Sequence, residues 1–116
     1  MPNALCHFEF LTGDAARCKA FYGAVFGWKF DDASMPGYTL VETGHEPSGG
    51  ILHDPLENSP CINVYFKVEN IERILENART NGGKVLVEKS PIPGIGHFAM
   101  FSDPDGIVIG IMQPVS

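Results

Sequence analysis

The feature that most constrains this 116-residue chain is an internal repeat with a spacing of 56 residues. His7-Phe8-Glu9-Phe10-Leu11 aligns with Asn63-Val64-Tyr65-Phe66-Lys67. Without a gap, Asp14 then falls on Asn70, Arg17 on Arg73, Cys18 on Ile74, Tyr22 on Ala78 and Gly27 on Gly83. The same offset, carried across the loops, puts Gly50-Ile51-Leu52 on Gly106-Ile107-Val108. Few residues are identical, but residue classes agree along the first thirty positions. Each copy is therefore expected to build the same supersecondary unit.

The unit reads as β-α-β-β-β. Leu5 to Leu11 alternates at period two, as a strand does. Asp14 offers a helix N-cap, and Cys18, Phe21, Tyr22 and Val25 fall on one helical stripe that Gly27 ends. Trp28–Phe30, Tyr38–Glu42 and Gly50–His53 read as short strands. In the second copy Ile62–Val68 is a strand, and Asn70 caps a helix with an apolar stripe of Ile71, Ile74, Leu75 and Ala78, closed by Gly82-Gly83. Lys84–Glu88, His97–Phe101 and Ile107–Met112 are the remaining strands. Pro91–Gly94 reads as a rigid loop and Asp103–Gly106 as a tight turn. Phe21, Tyr22, Phe26 and Trp28 are expected to pack between helix and sheet. The fold class is α+β: one domain over 1–116, built of tandem repeats at about 4–55 and 60–114. A unit with one helix covers only one face of its sheet, so the two sheets are expected to enclose a concave cleft.

Composition narrows the partners. The chain is 44% apolar and carries a net charge of −6, with no Lys/Arg cluster, which argues against nucleic acid. No apolar run approaches the roughly 20 residues of a membrane span, and Met1-Pro2-Asn3 does not open a signal peptide. Cys6, Cys18 and Cys61 are an odd number without paired spacing, as expected of thiols in a reducing compartment. A cytoplasmic protein is expected.

The β-α-β-β-β tandem resembles the vicinal oxygen chelate superfamily of glyoxalases, bleomycin-resistance proteins and extradiol dioxygenases. The phrases HFEFLTGDAARCKAFYGAVFGWKF, SGGIL, NGGKVLVEK and FSDPDGIVIGIMQP carry the likeness over nearly the whole chain, closest to the small glyoxalase-like branch. The resemblance implies a homodimer and, in metal-using members, four ligands from the first and last strands of each copy. Those positions match His7, Asn63, Gly110 and, through the repeat offset, Asp54 with His53 beside it. Glycine offers no ligand and an amide is a poor one, so no cofactor and no metal are expected; if an ion bound, His7 and Asp54 would hold it.

Within this frame His7 and Glu9 share a strand face and form the candidate catalytic pair, able to move a proton. The alternative is a hydrogen-bonded histidine with no catalytic part. Asn63 and Tyr65 are placed to orient a ligand, His97 to contact it from a flexible approach, and Met112 to wall the pocket. The leading expectation is a protein that binds a small metabolite in the cleft, as a metal-independent lyase or isomerase. The rivals are a non-catalytic sequestering protein of the resistance type and a metal-dependent lyase or dioxygenase.

Overall fold

A computed structural model describes residues 3–35, 37–54 and 60–115. The chain forms two compact units: residues 6–63, and the residues up to Leu5 together with those from Val64 onward. The first carries β1 (Leu5–Thr12), α1 (Ala15–Phe26), β2 (Lys29–Met35), β3 (Tyr38–Glu42) and β4 (Ser48–His53), with strands in the order β2-β3-β4-β1. The second carries β5 (Cys61–Lys67), whose first three residues belong to the first unit, with α2 (Ile71–Thr80), β6 (Lys84–Ile92), β7 (Gly96–Ser102) and β8 (Val108–Pro114), in the order β5-β8-β7-β6. Each copy is thus β-α-β-β-β, with its first and last strands parallel and its other neighbours antiparallel.

The helix starts follow from their caps. The Asp14 carboxylate accepts from the Arg17 backbone N–H at 2.9 Å, and the Asn70 amide oxygen accepts from that of Arg73 at 3.1 Å. Gly27, at φ +72°, ends α1 in the left-handed region. The end of α2 differs from expectation: Asn81 is its cap, and Gly82 (φ +92°) turns the chain afterwards. Asp103 organises the expected turn, its Oδ1 accepting from the N–H groups of Asp105 and Ile107. Pro91 and Ile92 are not loop residues, because they continue β6 and pair with His97 and Gly96.

The cores of the two copies differ in kind. In the second, Val68, Ile71 and Leu75 pack on Ala99 and Ile111. In the first, Tyr22 stacks over Phe10 and Trp28, with ring centroids 4.8 and 5.7 Å away. α1 buries no residue fully. Phe21, Val25 and Phe26 are 57, 54 and 59% exposed, so the expected stripe is rotated, and Phe21 and Phe26 are not core. The half-buried positions are Ala15, Cys18, Lys19, Tyr22 and Gly23.

Strand register corrects the repeat arithmetic. Glu9 pairs with Gly50 on β4, and Tyr65 pairs with Gly110 on β8. The offset is therefore 56 on the first strand of each copy and 60 on the last. The partner of Gly110 is Gly50, and Asp54 is not.

Candidate functional site

β1 alternates between two faces. Cys6, Phe8 and Phe10 turn towards α1 and its aromatic cluster, while His7 and Glu9 turn to the other face. Register carries that second face onto Ser48 and Gly50 of β4 and Leu40 of β3, and two residues before Leu40 it reaches Tyr38. Tyr38 closes a chain of hydrogen bonds there. Its hydroxyl donates to Glu9 Oε2 at 2.9 Å and lies 2.8 Å from His7 Nε2. Glu9 is only 7% exposed. Burial pushes the His7 imidazole below its ordinary range, while the Glu9 charge and a bond to the Ser48 backbone pull it back up.

Two adjacent glycines make room for this face and for its reverse. A Cβ at Gly50 would stand 1.9 Å from the Tyr38 hydroxyl oxygen, and one at Gly49 would stand 2.2 Å from the Phe8 ring. Gly110 repeats the arrangement in the second unit, where a Cβ would meet the Tyr65 ring at 2.4 Å. Tyr38 was missed by the sequence reading. It lies 31 residues from His7, and nothing local sets that register. The signal available was the Gly49-Gly50 pair, because glycine inside a strand marks close approach.

The other candidates lie on strands of the second copy. Asn63 is half-buried on β5, its side-chain oxygen 3.9 Å from Cys61 Sγ. Tyr65 and Met112 lie on the face of their sheet away from α2, since the intervening Ile111 packs into the α2 core. His97 does not join them. It pairs with Gln113, whose side chain accepts from the Ile71 N–H at the start of α2, and its charge acts on Glu72. Alternation along β7 thus sends His97 to the helix face, opposite Met112.

The positions that the resemblance assigns to metal ligands hold poor or engaged donors. His7 Nε2 is engaged by Tyr38, Asn63 is an amide, and Gly50 and Gly110 are glycines covered by tyrosines. Asp54 cannot assist His7: β1 and β4 run parallel with His7 beside Ser48, and Asp54 follows His53, the partner of Thr12. Six residues of strand separate them, roughly 20 Å. Among the described residues, no three His, Cys, Asp or Glu side chains gather to hold an ion. A groove of about 410 Å³ opens in the first unit, but Phe10, Cys18, Phe21, Tyr22, Cys61 and Ile62 line it rather than His7 or Glu9.

Comparison with known proteins gives the context. A model described as bleomycin resistance protein-like N-terminal matches residues 5–44. A putative glyoxylase, CFP32, of Mycobacterium bovis is 32% identical over 110 residues, covering 91% of this chain and 42% of that protein. The chain thus spans less than half the length of this curated relative. Among solved structures, a methylmalonyl-CoA epimerase from Mycobacterium tuberculosis has a TM-score of 0.70 at 14% identity, covering 97% of this chain and 89% of that one. The Mn(II)-bound glyoxalase from Novosphingobium aromaticivorans has a TM-score of 0.72 at 17% identity, covering 99% and 40%. At such identities these two structures establish the fold.

Proposed function

The chain belongs to the vicinal oxygen chelate superfamily, as a glyoxalase-like member, and on that premise we propose that it takes a small metabolite on the polar face of its first sheet and handles a proton there without a metal ion. The observation that carries this reading is the hydrogen-bonded chain of His7, Tyr38 and Glu9. Leu11 and Leu40 show that apolar side chains suit the same face. A buried carboxylate beside an imidazole costs desolvation that a leucine would not. Polar groups kept in such a place, bonded to one another, mark a site that uses them. Histidine and glutamate supply an acid and a base, which suits lyase or isomerase chemistry.

A second reading is binding without turnover. It is favoured by the match of the resistance-protein model to residues 5–44, the stretch that contains His7, Glu9 and Tyr38. Both readings share the first test. Wild type and His7→Ala are melted in the presence of a panel of metabolites. A ligand at a hundred times its Kd stabilises the folded state by about 2.7 kcal/mol. The expected result is a compound that raises the Tm of wild type and leaves His7→Ala unmoved. Equal shifts in both proteins would place the ligand elsewhere. Product analysis with that compound then separates catalysis from sequestration.

A further inference from the structure

We propose that the groove beside α1 is a second binding site, which takes a small flat aromatic acid, its ring against Phe10, Phe21 and Tyr22 and its anionic group at Arg17. The site is independent of the His7 face, because alternation along β1 turns Phe10 towards α1 and turns His7 and Glu9 away from it.

Size and walls define the body of the ligand. At about 410 Å³ the groove falls in the range of small-molecule sites, roughly 300–1,000 Å³. Phe21 stands edge-on to Tyr22, with ring centroids 5.1 Å apart and planes at 88°. Phe10 lies closer to parallel with Tyr22, 4.8 Å away at 30°. Rings that meet at a right angle make a corner. A planar ring in it stacks on one wall and meets the edge of the other, the two arrangements that aromatic pairs prefer. Phe21 and Ile62, both in the lining, are left 57 and 58% exposed. A ligand that covers them removes apolar surface from water, which drives binding.

Charge defines the head group. Asp14 and Arg17 are the charged residues that line the groove. Asp14 is committed to the helix: its Oδ1 accepts from the Arg17 backbone N–H at 2.9 Å, and the positive end of α1 offsets its charge. The Arg17 side chain is 82% exposed and meets Asp14 only through Nε, at 3.7 Å. The ion pairs of Lys19, Lys89 and Arg79 with Asp32, Glu72 and Glu88 are closer, at 2.8, 3.3 and 2.7 Å. Among the described residues the two terminal nitrogens of Arg17 have no acceptor. A carboxylate accepts from such a fork with both oxygens.

Cys61, an exposed thiol in the lining, reports whether the groove is occupied. Its alkylation by iodoacetamide at neutral pH is followed by peptide mass spectrometry at increasing 2-naphthoate, with 2-naphthamide as the uncharged analogue. Wild type, Arg17→Gln, Phe21→Ala and His7→Ala are compared, each checked for folding by thermal melting. Arg17→Gln keeps the backbone N–H that Asp14 accepts. Naphthoate is expected to slow the alkylation saturably and equally in wild type and His7→Ala. Its affinity is expected to fall about fivefold in Arg17→Gln and about tenfold in Phe21→Ala. Naphthamide is expected to bind wild type and Arg17→Gln alike. Absence of protection in wild type up to about 5 mM naphthoate would overturn the proposal. So would an affinity unchanged in Phe21→Ala, which would put the ligand outside the groove, or unchanged in Arg17→Gln, which would remove the anionic group from the assignment. Protection lost in His7→Ala would overturn it too, by moving the ligand to the other face. The metabolite screen is read through His7 and not through Cys61, so the proposed function and this site fail separately.

Discussion

The hydroxyl of Tyr38 rests against the backbone of Gly50, so close that a methyl group on that glycine would lie 1.9 Å from the oxygen. Tyr38 is two residues before Leu40, the register partner of Gly50, so the ring reaches diagonally across the sheet. In the second unit a tyrosine also covers a strand glycine, but Tyr65 is the direct register partner of Gly110 and meets it with the ring rather than the hydroxyl.

Gly50→Ala is expected to destabilise the protein by about 1–3 kcal/mol through overpacking against that ring. In a Tyr38→Ala background the same change is expected to cost under about 1 kcal/mol, because the space has been vacated. Urea unfolding of the four proteins measures the difference. Equal costs in both backgrounds would show that the glycine answers to something other than Tyr38.

His7 gives stability a pH dependence of definite sign. Burial holds its folded pKa below the ordinary 6.5, so the unfolded chain binds the proton more readily. Its contribution is complete above about pH 6.5 and is lost as pH falls through the folded value. Asp31, Asp32 and Glu72 also have lowered values, but they titrate well below this window. Unfolding free energies at pH 7.5 and 5 are expected to show a smaller drop for His7→Gln than for wild type. A drop of the same size would remove His7 as its source.

Apolar residues on the two helices are expected to differ in weight. Leu75→Ala, at 3% exposure in the α2 core, should cost about 2–5 kcal/mol. Phe21→Ala on α1, at 57% exposure, should cost under about 1 kcal/mol. Thermal melting of the pair distinguishes them. A large loss at Phe21 would mean that its face of α1 is covered in solution.

Purified protein is expected to carry well below one equivalent of divalent metal, and a chelator is expected to leave its Tm unchanged. The reason is the donor set: a histidine engaged by Tyr38, an amide at Asn63, and tyrosines over Gly50 and Gly110. Elemental analysis decides. A full equivalent lost on His7→Ala would defeat the metal-free reading.

The order β-α-β-β-β, its duplication, both helix caps and the Asp103 turn were all legible in the amino-acid sequence. The elements and caps depend on residues within a few positions of one another, and the duplication on the same local pattern met twice. Asp14 and Asn70 cap because a short polar side chain reaches an N–H three residues on, whatever the rest of the molecule does. His7 and Glu9 were legible as a pair for the same reason, since alternation along one strand is a local rule.

Tertiary structure decided what passes between strands. Register alone makes Gly50, rather than Asp54, the counterpart of Gly110. Register also sends His97 to the α2 face and brings Tyr38 between His7 and Glu9. Burial alone turns Phe21 and Phe26 of an evenly apolar helix outward. A sequence repeat fixes which residues alternate within a strand. It does not fix how far a neighbouring strand slides along it, because loops of different length absorb the difference. The four residues added between first and last strand in the second copy are such a slide, and they changed which side chains meet.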